Sequence, residues 1–213
     1  MLIDFIKKIT AVIFIILLSP AILATYVIVK TTSRGPFIFK QRRMGKDKKP
    51  FFLYKVRTMV DGAEKLKKRL ASLNETDGPV FKIRNDPRYT KVGKFLSHSG
   101  LDELPQLMNI IKGEMDYVGP RPLPLPEAKK VPKKYHSRFT VLPGMTSPWI
   151  VEGAHKMSFT EWMDLDVRYS KSKSFIKDIM IFAKTTYVIM GLVKNKIFDH
   201  EEQPYIKNRR LKL

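Results

Sequence analysis

Cysteine is absent from the 213 residues, which excludes disulfides and thiolate metal sites and suits a reducing compartment. Histidine is scarce. His98, His136, His155 and His200 lie scattered without ligand spacing, so transition-metal chemistry is not expected. Acidic residues number 20 against 40 lysines and arginines, a formal net charge of +20. A surface so short of negative charge seeks polyanions, whether nucleic acid, anionic lipid headgroups or phosphorylated substrates. Internal repeats and low-complexity tracts are missing as well, and the length suits one compact domain with an appendage.

What is present begins with an apolar run from Ile9 to Val29. At ~1.5 Å per residue a straight helix of this length reaches about 30 Å, just enough to cross a bilayer. Pro20 interrupts it. The ring removes one backbone hydrogen bond and predicts a kink, and the Ser19 hydroxyl can satisfy a freed carbonyl. Lys7 and Lys8 precede the run, while Lys30, Arg34, Lys40, Arg42 and Arg43 follow it. Basic flanks on both sides favour two cytoplasmic ends. A re-entrant hairpin over residues 1–30, broken at Ser19-Pro20, is therefore expected ahead of a cytosol-facing domain over residues 31–213. A kinked spanning anchor is the alternative, and no A-x-A site follows the run to support a signal peptide.

Leu101 to Pro122 carries the densest chemistry. Pro105 fits only in a first helical turn, so a helix is expected to start near Gly100 to Asp102 and to stop at Gly113. Asp102 and Glu103 then occupy its exposed positive end, where ionised carboxylates and bound phosphate are both favoured. Ordinary acidic capping explains an isolated Asp-Glu pair equally well. Arg121 follows between two prolines.

Elsewhere, aromatic residues alternate with basic ones from Gly35 to Met59, predicting short strands joined by a turn around Gly45 to Pro50. Lys55 and Arg57 alternate at strand spacing and are placed to face one anion. Asp61 to Asn74 opens with an Asp-x-x-Glu pattern and reads as a basic amphipathic helix. Gly78 to Gly93 reads as a loop in which Arg84, Asp86 and Arg88 line a charged site. Leu123 to Lys134 is proline-rich and expected to be extended, and Leu142 to Trp149 to be turns. Ser158 to Ser170 carries a Ser-x-x-Glu capping box. Phe175 to Val193 is apolar but holds Lys177, Asp178 and Lys184, which fits an interfacial helix and a core helix alike. The tail from Lys207 is basic.

Several stretches together resemble the bacterial sugar transferase family of monotopic polyprenyl-phosphate phosphoglycosyl transferases. They are Ser19-Pro20, the run from Phe39 to Gly45, Lys55 to Met59, Asn85 to Gly93, Leu101 to Leu107, Lys112 to Met115 and Val118 to Pro122. They occur in the family's order and cover about residues 10–200. The chain looks like the short form, the catalytic unit alone. It departs from the family pattern at Gly100, where serine is usual, and over Ser147 to Gly153, a region that bears on sugar choice.

The resemblance implies a mostly α fold with a small β element: a re-entrant membrane hairpin, interfacial amphipathic helices and a compact cytoplasmic catalytic domain at the inner membrane. It implies transfer of a sugar phosphate from a UDP-sugar to a polyprenyl phosphate, with UMP released. Asp102 is then the nucleophile, and Glu103 with Asp102 the ligands of Mg2+. Arg121, Lys55 and Arg57 are the phosphate-binding cations, with Arg88 and Lys82 secondary ones, structural pairing with Asp86 being an equal alternative for Arg88. Membrane lipids and downstream glycosyltransferases are the implied partners, a homodimer is left open, and nucleic acid is not expected. Two readings from other classes compete, a membrane-tethered nucleic-acid binder and a non-enzymatic membrane scaffold, and neither needs Asp102.

Overall fold

The computed structural model describes residues 2–83, 85–152 and 157–198. Arg84, His155, His200 and the basic tail lie outside them. Two helices, α1 (Leu2–Leu17) and α2 (Ser19–Thr32), open the chain and are bent by 59° at Leu18. The cause is local. Pro20 sits in the first turn of α2, and the Ser19 hydroxyl donates to the Ile16 carbonyl at 2.7 Å. Among the described residues no single helix is long and apolar enough to cross a membrane, although the bent pair passes that test together.

One side of the pair packs on the rest of the protein and the other is bare hydrocarbon. Ala11 is fully buried, and Thr25 and Val29 nearly so. Phe5, Ile9, Ile13, Leu17, Leu23 and Val27 are exposed. A soluble surface rarely carries so continuous an apolar face.

A hairpin follows, β1 (Ile38–Met44) antiparallel to β2 (Pro50–Val56), closed by a 3-10 turn at Lys46–Lys48. The expected turn at Gly45 to Pro50 is thus observed. Arg43 pairs with Phe51, Gln41 with Leu53 and Phe39 with Lys55. Phe51 and Leu53 are buried while Phe52 is half exposed, so Lys55 continues the inward face because side chains alternate along a strand. The outer edge of β2 is closed by a side chain. The Asn109 amide donates to the Phe52 carbonyl at 2.7 Å and accepts from the Tyr54 N–H at 3.2 Å. In this way an asparagine substitutes for a third strand and seats the Asp102 segment against β2.

The amphipathic helix expected over residues 61–74 is broken into α3 (Ala63–Leu66) and a 3-10 turn at Ala71–Leu73. Gly62, left-handed at φ +73°, takes the cap position that Asp61 was expected to hold. Helix α4 (Lys91–Ser99) is capped by the Thr90 hydroxyl, which accepts from the Gly93 N–H at 2.9 Å. Gly100, at φ +75°, then turns the chain into a 3-10 segment, Leu101–Gln106, that leads into α5 (Leu107–Ile111). The single helix expected here is therefore two pieces, because Pro105 lies inside the tighter turn. It ends as expected at Gly113, φ +74°.

Strand β3 (Asp116–Val118) pairs in parallel with β4 (Gly144–Thr146). The backbones cross so closely that a Cβ on Gly144 would lie 2.0 Å from the Gly119 nitrogen. Between them, the stretch expected to be extended instead forms α6 (Leu125–Ala128) and a 3-10 helix at Lys133–Phe139. Pro124 and Pro132 stand just before these turns, positions where a missing N–H costs nothing. After α7 (Pro148–Val151), α8 (Phe159–Lys171) carries the expected capping box between Ser158 and Glu161. Helix α9 (Phe175–Phe198) closes the described chain.

Helix α1 and the connection between α8 and α9 meet on β3 through one carboxylate. Asp116 Oδ2 lies 2.6 Å from Lys7 Nζ and 2.7 Å from Lys173 Nζ. The pairing outweighs burial and holds the Asp116 carboxyl below its ordinary range. Beside it, the Tyr117 ring meets Phe14 and Phe182 edge-on. Ile181 and Thr185 anchor α9, while Ile176, Ile179 and Met180 are exposed.

Candidate active site

Four of the expected site residues meet in one place. Lys55 Nζ lies 2.7 Å from Glu103 Oε1 and 3.4 Å from Asp102 Oδ2. Arg121 reaches Glu103 Oε1 at 3.7 Å. Lys55 arrives from β2, the carboxylates from the 3-10 segment, and Arg121 from the loop after β3. Separate stretches of chain converge on one charged cluster, which is more than helix capping requires.

The two carboxylates differ. Asp102 is only 4% exposed, which corrects the expectation of an acid at an open helix end. Asn109 draws its segment onto β2, and the carboxylate is carried inward with it. Burial pushes the Asp102 carboxyl above its ordinary range, with the Glu103 charge adding to this and Lys55 only partly opposing it. For Glu103, burial also acts upward, but Lys55 and Arg121 outweigh it and hold the carboxyl low. One acid is made more basic and its neighbour is kept ionised. Pairs driven apart in this way are suited to different chemical roles.

Arg121 is held by its own main chain. The Pro120 carbonyl accepts from the Gly144 N–H at 3.1 Å, that of Arg121 from Arg138 at 2.8 Å, and that of Pro122 from Arg43 at 2.7 Å. Three successive carbonyls are thus tied down in a stretch whose prolines offer no N–H in return. Arg138 is itself fixed by Asp166 of α8 at 2.7 Å, both groups fully buried. The Arg121 guanidinium also lies 5.9 Å from the centre of the Trp149 ring, which stacks on Trp162 at 4.7 Å. Lys82 Nζ is 4.9 Å from the same Trp149 ring.

Two expected residues are engaged elsewhere. Arg57 does not share an anion with Lys55: it is buried and donates to the Ser33 carbonyl and hydroxyl, each at 2.9 Å, and to the Arg34 carbonyl. The negative end of α2 has captured it, as helix C-termini capture cations. Arg88 is likewise not brought to the cluster. It is clamped to Asp86 at 2.6 Å, donates to the Ala63 carbonyl at 3.2 Å, and stacks over Phe81. Both arginines brace the fold.

Sequence reasoning missed Arg43 and Arg138. For Arg43 a signal existed, since the hairpin register sets it opposite Phe51 on the face that carries Lys55. For Arg138 there was none, its partner Asp166 being 28 residues away.

No group of three metal-binding side chains occurs among the described residues. Magnesium commonly takes one or two carboxylates and completes its shell with water and substrate phosphates. Asp102 and Glu103, hard oxygen donors on adjacent residues beside a cleft, fit that demand.

A buried acid and an ionised neighbour with lysine and arginine beside them make up a charged cluster on a protein that also carries an exposed apolar bent helix pair. The chain belongs to the bacterial sugar transferase family, whose profile matches residues 1–191. It is 40% identical over 157 residues to the galactosyl transferase CpsE of Streptococcus agalactiae serotype III (strain NEM316), covering 73% of this chain and 35% of that protein. It is 35% identical over 168 residues to the undecaprenyl-phosphate galactose phosphotransferase of Salmonella typhimurium, covering 75% and 34%. It is 33% identical over 175 residues to the exopolysaccharide production protein ExoY of Rhizobium meliloti, covering 80% and 77%. The chain thus spans about a third of the first two relatives and about three quarters of the third.

Proposed function

We propose that this chain transfers a sugar phosphate from a UDP-sugar to undecaprenyl phosphate, releasing UMP, as the first membrane step of a surface glycan. The observation that carries this reading is the meeting of Asp102, Glu103, Lys55 and Arg121 in a member of this family. The names of the relatives support the lipid carrier and the sugar phosphate.

An Asp102 carboxylate oxygen attacks the sugar-bearing phosphorus. The bond from that phosphorus to the oxygen bridging the two phosphates breaks, and UMP leaves with the electron pair. The lipid phosphate oxygen then attacks the same phosphorus, and Asp102 departs as carboxylate. Splitting the displacement lets two anionic substrates visit the site in turn. The raised basicity of Asp102 suits a nucleophile. Lys55 and Arg121 offset the charge that would otherwise repel the donor. A magnesium ion held by Glu103 and Asp102 would supply further neutralisation of the donor phosphates.

The exposed apolar faces of α1 and α2 enter the membrane as a re-entrant pair from the cytoplasmic side, and α9 lies in the interface. The site then stays at headgroup depth, where the lipid phosphate is found. Anionic lipids attract the basic surface, and downstream glycosyltransferases take the product.

The test is UMP release with undecaprenyl phosphate and a panel of UDP-sugars, with magnesium and with chelator. Enzyme trapped with donor alone should carry one added sugar phosphate on Asp102 by mass spectrometry. Unmodified enzyme throughout a productive reaction overturns the covalent step.

A further inference from the structure

Arg43 is an anomaly of charge. Its Nη1 donates to the Pro122 carbonyl at 2.7 Å, yet its Nε is shut off from solvent and has no hydrogen-bond partner. No carboxylate makes an ion pair with it among the described residues; of the charges around it Arg121 acts most strongly, with Glu127, Glu103 and Glu64 partly opposing. Burial, with Arg121 adding to it, pushes the Arg43 pKa down to about 10. The group is still charged at neutral pH. A partly buried cation with an unmet donor and a like charge beside it is costly, and native proteins rarely leave one so.

The surroundings indicate what is missing. Arg43 lines a narrow cleft together with Lys55, Glu103, Gln106, Arg121 and Met145. Arg43, Lys55 and Arg121 bring three positive charges, against two negative ones from Asp102 and Glu103. An entering oxyanion would supply both the acceptor that Nε lacks and the negative charge that the cleft lacks. Arg43 is rigidly presented, because β1 pairing and the Pro122 bond fix its stem and one nitrogen.

We propose that Arg43 binds a phosphate oxygen of the nucleotide diphosphate donor directly, as a third cation of the site. This rests on the function proposed above. The rival role is mechanical, in which Arg43 only holds the Pro122 carbonyl and thereby Arg121.

The two roles separate by ligand charge together with the Arg121→Gln background, in which a direct contact still weakens UDP when Arg43 is changed and a merely mechanical one does not. Binding of uridine, UMP and UDP to the full chain with magnesium is measured by calorimetry for the unaltered protein, Arg43→Gln and Arg43→Lys. Charge-assisted hydrogen bonds are strong enough that Arg43→Gln should weaken UDP about tenfold or more, with uridine changed less than about twofold. Arg43→Lys, which keeps the charge without the fork, should recover part of the UDP affinity. Should Arg43→Gln weaken UDP no further once Arg121 is already glutamine, the mechanical role holds and the proposal is overturned, and unchanged UDP binding in the single variant overturns it outright. Should Arg43→Gln fail to fold, Arg43→Lys alone carries the comparison, with UDP weakened selectively. Failure of the unaltered protein to release UMP from any UDP-sugar would refute the proposed function instead, a result independent of the ligand-charge pattern.

Discussion

Arg138 donates to the main-chain carbonyl of Arg121 at 2.8 Å while its other contacts hold Asp166. A fully buried ion pair thus fixes the segment from which a half-exposed arginine reaches toward Glu103. Leaving one member of such a pair alone typically costs about 3–5 kcal/mol. Asp166→Ala should therefore lower stability to urea by about that amount. Arg138→Lys, which keeps the charge but loses the fork, should weaken donor binding more than it lowers the unfolding midpoint. Unchanged donor KM in a folded Arg138→Lys protein would remove the link from α8 to the active site.

Asp102 and stability are expected to oppose one another. Burial raises its carboxyl above the ordinary range, so the folded protein holds that proton more tightly than the unfolded chain. Its contribution to stability is present below the unfolded pKa and is lost as pH rises through the folded one. Asp102→Asn should therefore abolish UMP release yet raise the unfolding temperature at neutral pH. The shift is about 2–4 °C per kcal/mol gained for a chain of this size, and it should fade below about pH 4. Glu103, held low by Lys55 and Arg121 against its burial, works in the opposite sense. Its contribution is present above the unfolded pKa and is lost on acidification through the folded one, so both proteins should weaken in acid. A destabilised Asp102→Asn at pH 7 would contradict this account.

Trp149 offers a direct optical readout. The chain has two tryptophans, and they are stacked on each other. Trp162→Phe leaves one indole beside Arg121, so UDP that draws the guanidinium away should change the emission saturably. Trp149→Leu removes the cation–π contact and should raise the donor KM about threefold to tenfold, whereas Trp149→Phe should move it less. Equal effects of the two substitutions would deny the ring a role.

The absence of native cysteine makes membrane topology easy to probe. With Leu2→Cys, a membrane-impermeant thiol reagent should label only from the cytoplasmic side. Adding Pro20→Ala should straighten the pair and move the label outside. External labelling of Leu2→Cys alone would sink the re-entrant arrangement and leave the chemistry intact.

Much of this was legible in the chain because local rules governed it. The kink at Pro20, the turn between the hairpin strands, the stop at Gly113 and the cap at Ser158 each depend on residues within a few positions of one another. The Asp102, Glu103 and Arg121 cluster was legible through its motifs. What escaped was set by distant packing. Strands β3 and β4, three residues each, are too short to show a period. The short helices after Pro124 and Pro132 were hidden by prolines that read equally well as extended chain. Arg57 and Lys55 share strand spacing, yet the end of α2 claims one of them and the carboxylates claim the other. Asp102 looked exposed because nothing in its neighbourhood announces that Asn109 ties its segment to the hairpin edge.

Asp116 accepts Lys7, 109 residues earlier, and Lys173, 57 residues later, on the same oxygen. During synthesis the first of these pairs can close while the second lysine has yet to be made. The leading helix is therefore able to dock on β3 before α9 exists, with Asp116 half satisfied until Lys173 is added. A nascent chain that stops short of Lys173 would carry β3 with its carboxylate matched by one lysine instead of two.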